Sequence, residues 1–363
     1  MYKNLILITF FTAAIVTAKA QDTVKTTSDA PLVFSGSVDT YWKYDFSGHG
    51  NIPTSFANDQ NSVSIGMIDL GLKKTVGKAS FVGELSFGPR GQYQSIPNGD
   101  GSGANSNNSF HIQNLYVSYN VTDKLNLSAG YMSTFIGYEV ISPAGNFNYS
   151  TSYLFTNGPF ENAGFKATYT FSDKVSLMAG IFNNYWNIYS SLRNIAGTTG
   201  GTSSGDVSTF GAQLTVTPVK GWTAYLNLAT GSYSGTLLDL TTAYQVTNAF
   251  KLGLNAATKS GNATSPAAAN YEGIALYPQL AVSKAVTFGL RGEYFKFRDT
   301  GTTPGGDVKA LTITANIKAG PLTLVPEVRF DNKSDAFPAS FVTSDGNSTN
   351  HASQFLVAAV YAF

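Results

Sequence analysis

No cysteine occurs in the 363 residues, so a disulfide framework and every thiolate-based metal or redox site are excluded. Charge is scarce as well. Asp, Glu, Lys and Arg make up 12% of the chain, about half of what a soluble domain carries. Long apolar runs are missing: beyond residue 20 no stretch approaches the ~18 residues of a membrane-crossing helix, which excludes a helical membrane bundle. Histidine is reduced to His49, His111 and His351, none beside a nucleophile motif. Acyl-transfer chemistry would therefore lack an oriented base, and a metal would lack a ligand cluster. The expectation is no enzyme activity, no cofactor and no metal. Asp/Asn-rich stretches such as 98–100 and 344–347 suit calcium in principle, but turn chemistry explains them equally well.

What the chain does contain is 36 Gly, 20 Tyr and 25 Phe, at a mean hydropathy of −0.03. Low charge at average hydropathy suggests β structure wetted on one face. Residues 1–20 read as a secretory signal peptide: Lys3 is followed by an apolar run from Leu5 to Val16, then Ala18-Lys19-Ala20. Losing Lys3 and Lys19 leaves 21 bases against 22 acids, a formal charge of −1. Such a balance suits neither a nucleic-acid partner nor a polybasic membrane-surface protein. The exported chain would then consist of a short periplasmic segment, 21–31, and one long β domain, 32–363.

That domain alternates with a period of two. In the first segment Phe34, Val38, Trp42 and Tyr44 share one face, while Ser35, Ser37, Asp39, Tyr41, Lys43 and Asp45 share the other. About 15 residues of such alternation exceed an ordinary soluble strand but suit a tilted strand crossing a bilayer. Hairpins recur. Asn114–Val121 runs through Thr122-Asp123-Lys124 into Leu125–Tyr131, and Phe165–Phe171 through Ser172-Asp173-Lys174 into Val175–Gly180. Further tight reversals fall near Gly77, Lys220, Asn248, Lys284 and Gly320, making seven short turns in all. Between the hairpins lie stretches rich in Gly, Ser, Asn and Asp: 47–60, 89–109, 134–160, 190–205, 259–269 and 331–353, with shorter ones near 233–235 and 299–306.

Eight long connections imply an all-β, transmembrane antiparallel β-barrel of about 16 strands, with short periplasmic turns and long extracellular loops. Hydrocarbon supplies no hydrogen-bond partner, so the strands must close on themselves. About 16 strands leave an aqueous lumen rather than a filled core. By parity Leu214, Val216, Leu226 and Leu228 face lipid, and Gln213, Thr215, Asn227, Asn255 and Gln279 face inward. The last strand alternates through Phe355, Val357, Ala359 and Tyr361 to Phe363, which resembles the terminal aromatic signal read by the outer-membrane barrel-assembly machinery.

From Ile136 to Trp186 the chain carries Ile136-Gly137-Tyr138-Glu139, Asn148 to Phe155, Gly158-Pro159-Phe160 and Gly180 to Trp186. This segment resembles the OmpL-like β-barrel porins of Gram-negative bacteria, especially those of Bacteroidota. The specific match covers about fifty residues. It departs at Thr151, where relatives often carry a basic residue, and at Asn162, near which they carry a His. The resemblance implies an outer-membrane porin without enzyme activity, surrounded by outer-membrane lipid, and names no solute.

Parity places Asp39, Lys43, Asp45, Glu84, Lys166, Arg291, Glu293, Glu327, Arg329 and Asp331 in the lumen as pore-lining candidates. Either an acid-rich wall faces a base-rich wall across a constriction and orients polar solutes, or the two signs neutralise one another along a solvated wall. No strand carries a ladder of Lys or Arg, which speaks against a dedicated phosphate or anion pore. Residues 134–160 form the best candidate for a loop entering the lumen, with Tyr138, Glu139 and Tyr149 as constriction residues; the alternative is an external cap. Trp42, Tyr44, Tyr131, Trp222 and Tyr361 read as interfacial girdle residues, whereas Tyr41, Tyr116, Tyr225 and Tyr277 point inward. The expected function is passive diffusion of small hydrophilic solutes. A surface structural or adhesin barrel with a blocked lumen is the alternative. A homo-oligomer is compatible with either.

Overall fold

The computed structural model describes residues 30–92, 96–97, 111–183, 207–232, 234–261, 270–299 and 304–363. Residues 1–20, read above as a signal peptide, and parts of the long connections therefore lie outside the described residues.

Sixteen strands form the wall: β1 (Val33–Asp45), β2 (Ser62–Val76), β3 (Ala79–Phe87), β4 (His111–Asn120), β5 (Leu125–Ser133), β6 (Glu161–Ser172), β7 (Val175–Asn183) and β8 (Val207–Val216), then β9 (Trp222–Gly231), β10 (Gly235–Gln245), β11 (Phe250–Ser260), β12 (Tyr271–Ala281), β13 (Val286–Phe297), β14 (Asp307–Ala319), β15 (Leu322–Lys333) and β16 (His351–Ala362). Each pairs antiparallel with the next, and β16 pairs back onto β1, from Ser37 opposite Ala362 to Asp45 opposite Gln354. Reciprocal amide bonds of 3.0 Å between Gly36 and Phe363 finish the seam. Closure leaves no strand edge unpaired, as a bilayer demands.

The alternation read from β1 is realised side chain by side chain. Ser37, Asp39, Tyr41, Lys43 and Asp45 are buried inside, while Phe34 and Val38 are exposed outside. Leu115, Val117, Leu226, Ile274, Leu290 and Ile313 extend this outward apolar belt. Aromatics gather near both rims: Trp42 stacks on Tyr44 with ring centroids 6.2 Å apart, and at the opposite end Trp222 lies 5.5 Å from Tyr244. Tyr131 is the exception. It is 4% exposed, packed with Ala163 and Ile112, and is no girdle residue. The preceding Gly130 has a φ of +139°, outside the range of an ordinary L-residue strand, and the alternation fails there.

All seven short turns lie at one end and the long connections at the other. Four turns repeat one device. Thr122, Ser172, Thr247 and Ser283 each turn a hydroxyl onto the backbone N–H two residues ahead, and Thr122, Thr247 and Ser283 reach the next N–H as well. This explains why the first two hairpins look like copies in sequence.

Candidate functional site: a strap across the lumen

Residues 134–160 leave β5, enter the barrel and return to β6; they are not an external cap. The entry is apolar. Phe135 packs on Phe182 at 5.6 Å, and Ile136 joins a cluster with Ala229 and Leu237 from the wall. Tyr138 then stacks on Tyr277 at 4.3 Å, above Gly253, where any Cβ would collide with the Tyr138 ring. Phe147 occupies the equivalent space over Gly289. Glycine at these two places keeps the wall flat enough for an aromatic ring to lie on it.

The return half is held by charge. Arg291 donates to Oε1 of Glu139 at 2.7 Å and to the Ser150 carbonyl at 2.6 Å. Glu327 accepts from the amides of Tyr149 and Ser150 at 3.0 and 3.2 Å, and Glu293 from those of Tyr153 and Leu154 at 2.9 and 2.8 Å. Arg329 donates to the Thr151 carbonyl at 2.8 Å and pairs with Asp331, which also accepts from the Tyr153 hydroxyl at 2.7 Å. The Tyr149 hydroxyl donates to Asp39 across the seam. Asp239 accepts from the Gly137 amide at 3.1 Å and from Asn227 and Asn255. Within the strap, Ser152 caps the short helix Tyr153–Asn157 by accepting from the Phe155 amide at 2.9 Å. Its own amide and hydroxyl donate to Glu139.

Burying these charges is tolerated because nearly every one has a charged or backbone partner; hydrogen bonds to ionised groups contribute about 1.5–3 kcal/mol each. Burial and the neighbouring Glu139 push the Tyr138 hydroxyl up to about 12. Burial first, then the nearby carboxylates, raises Tyr149 and Tyr153 well above the ordinary phenol range, so all three hydroxyls keep their protons at physiological pH, and those of Tyr149 and Tyr153 donate to carboxylates.

The inward-pointing candidates thus divide into three groups. Asp39, Glu293, Glu327, Arg291, Arg329 and Asp331 are brought together under the strap, with Tyr138, Glu139 and Tyr149 supplied by it. Acids and bases alternate on this one wall instead of facing each other across the lumen. Glu84 and Lys166 stand on the uncovered wall, half-buried, with Glu84 accepting from Asn114. Lys43 and Asp45 are buried near the long-loop rim, where Asp45 accepts from the Ser47 amide and hydroxyl at 3.0 and 2.7 Å.

Sequence reasoning missed Arg90, which sits in a segment read as external loop. Its guanidinium reaches in from the end of β3, donates to the Ile141 carbonyl at 2.6 Å and lies over the rings of Phe56 and Tyr149 at 4.3 and 5.0 Å. Thr151, at the departure from the resembling family, is fully buried and donates to the Ser55 carbonyl at 2.7 Å. Between strap and turn end lies a cavity of about 530 Å³, lined among others by Glu139, Asn146, Lys251, Gln279, Asn316 and Lys318.

A closed sixteen-stranded barrel, apolar outside, polar inside and crossed by an inward-folded strap against which residues 51–57 also pack, defines the class of outer-membrane channel. The chain belongs to the family described as "Putative beta-barrel porin-2, OmpL-like", whose model matches residues 31–363. It is an outer-membrane porin. Solved structures similar in fold include the channel DcaP of Acinetobacter baumannii, at 15% identity over 93% of this chain and 99% of that one, with a TM-score of 0.61. OprB of Pseudomonas putida follows at 12% identity, 92% and 94% coverage and a TM-score of 0.59. An anion-selective porin from Comamonas acidovorans has 13% identity, 92% and 99% coverage and a TM-score of 0.56. No curated protein matches the chain, and none of these matches supports the adhesin alternative.

Proposed function

We propose that the barrel passes small hydrophilic solutes by diffusion through the part of the lumen that the strap leaves uncovered, and that the strap sets their size limit. The observation that carries this reading is the state of the wall β3–β6. Its inward residues Glu84, Asn114, Tyr116, Ser118, Asn126, Lys166 and Thr168 are only half-buried, and nothing in their chemistry would repel a hydrated solute. Pores lined by mixed hydroxyls, amides and few charges discriminate mainly by diameter. Solutes pass chemically unchanged, and no cofactor is called for. Export through a signal peptide over residues 1–20 and a periplasmic lead of 21–31 belong to the same proposal. So does assembly through Phe363, supported by its place at the barrel seam and its half-exposed ring. A homo-oligomer is compatible with the continuous apolar belt. The experiment is single-channel recording of the refolded protein in planar bilayers, with liposome swelling in neutral sugars of increasing size. Stable open steps and a sharp size limit are expected. A folded barrel that conducts nothing would overturn the proposal.

A further inference from the structure

Charge is not spread evenly along the barrel axis. The turn end, counting the seven turns and the strand ends that enter them, carries Lys73, Lys74, Lys78, Lys124, Lys174, Lys220, Lys251, Lys284 and Lys318, nine lysines against only Asp123 and Asp173. Every turn has at least one lysine in it or beside it. The other described residues hold ten bases against sixteen acids. No strand shows a ladder because the lysines are dealt out one turn at a time, 25 to 50 residues apart in most cases; closure of the barrel gathers them into a ring.

We propose that this ring makes the turn-end mouth a collector of small anions, so that the porin favours carboxylate- or phosphate-sized anionic solutes over cations. The inference rests on the diffusion reading above and names the solute class for it. Three lysines carry the effect. Lys251 and Lys318 line the cavity beneath the strap, and Lys73 shares a face of β2 with the inward Asp69, nearer the turn. Neither ion pair among the described residues involves any of them. The only carboxylate lining that cavity is Glu139, already bound by Arg291. The acid excess elsewhere in the lumen is largely tied down. Asp39, Asp239, Glu293, Glu327 and Asp331 accept from the strap, and Asp331 also pairs with Arg329. Glu84, on the uncovered wall, and Asp69, buried on β2 beside Ser142 of the strap, oppose the lysines, which set the balance at the mouth rather than in mid-channel. A mouth of one sign framed by low-dielectric walls focuses its field and raises the local concentration of counter-ions. Because the Debye length shrinks from about 10 Å at 0.1 M salt to about 3 Å at 1 M, the preference should fade at high salt.

The test is the reversal potential of single open channels in a KCl gradient, in neutral phosphatidylcholine bilayers. The wild type should prefer chloride to potassium. In the triple variant K73Q/K251Q/K318Q that preference should fall by about threefold or more, whereas K220Q/K284Q, at turn tips on the outward parity, should leave it unchanged. Heat-modified gel migration verifies that each variant is folded. Open channels with equal or cationic preference overturn this inference alone, as does a triple variant with an unaltered ratio. A folded barrel without channel steps overturns the diffusion reading as well. Should the variants differ only when anionic phosphatidylglycerol is added, the lysines serve lipid headgroups and the inference fails.

Discussion

The two halves of the inner wall carry similar residue types and put them to different use. On β9–β16 the inward polar side chains at the level of the strap are sealed: Asn227, Arg291, Thr312 and Arg329 are 0% exposed. On β3–β6 Ser86, Gln113, Glu161 and Asn162 are buried toward the long-loop end, but Glu84, Asn114, Tyr116, Ser118, Asn126, Lys166 and Thr168 stay half-exposed, and Glu84 and Lys166 lie among hydroxyls and amides. The difference comes chiefly from a segment of 27 residues that lies against the first half, with residues 51–57 packed on it, and leaves much of the second uncovered. Facing inward therefore does not make a charge a selectivity element. At the level of the strap a charge on the covered wall works as a clamp, because its hydrogen-bonding capacity is spent on the strap; on the uncovered wall, and between strap and turn end, it acts on whatever passes.

The strongest way to break this comparison is to remove its cause. Deleting residues 140–152 should raise conductance by about twofold and extend the solute size limit, since pore width governs both. Unchanged conductance from the folded deletion variant would show that the strap does not set the opening. Next in size are the clamps. Arg329→Met leaves Asp331 and the Thr151 carbonyl without their cation, and Arg291→Met does the same to Glu139 and Ser150. Stranding a buried charge costs about 3–5 kcal/mol, so both variants should unfold at clearly lower denaturant concentration and show noisier open-channel current. A milder effect belongs to the uncovered wall. Lys166→Gln should stay within ~0.5 kcal/mol of wild-type stability, as surface-like substitutions do, while shifting the reversal potential toward cations. If Lys166→Gln destabilised the barrel as much as Arg291→Met, the division between the walls would collapse.

Much of this was legible in the sequence. The period of two separated inside from outside on β1, and the seven turns and eight long connections gave the strand number. What parity cannot say is what covers an inward side chain. Glu139 meets Arg291 across 152 positions, and the Tyr149 amide meets Glu327 across 178, distances at which no local pattern survives. The aromatic content of residues 134–160, against the Gly/Ser/Asn stretches around them, was the one cue to the strap, and it left the inward and external placements open. Arg90 had a faint signal: it is the sole arginine before Arg193, and a guanidinium suits several carbonyl and aromatic partners at once. Tyr131 was misplaced because alternation was carried through Gly130, where the backbone departs from it.

The smallest expected effect is one of pH, and it bears on the apolar entry of the strap rather than on its ionic clamps. Tyr138 stacks on Tyr277 and ionises only near pH 12, because burial, with Glu139 beside it, disfavours the phenolate. A free tyrosine loses its proton near pH 10. The strap-in state therefore holds this proton more tightly than a released strap, and its stabilisation is complete below about pH 10. It is lost as pH rises from about 10 through 12. Conductance between pH 6 and 9 should be flat as far as this residue is concerned, with larger, noisier openings appearing only above about pH 10. In Tyr138→Phe, which keeps the stacked ring and removes the proton, that alkaline onset should be weakened. An onset that is unchanged in Tyr138→Phe would assign it to the clamped half, where Tyr149 and Tyr153 also donate to carboxylates, and would shift the weak point of the strap from its entry to its return.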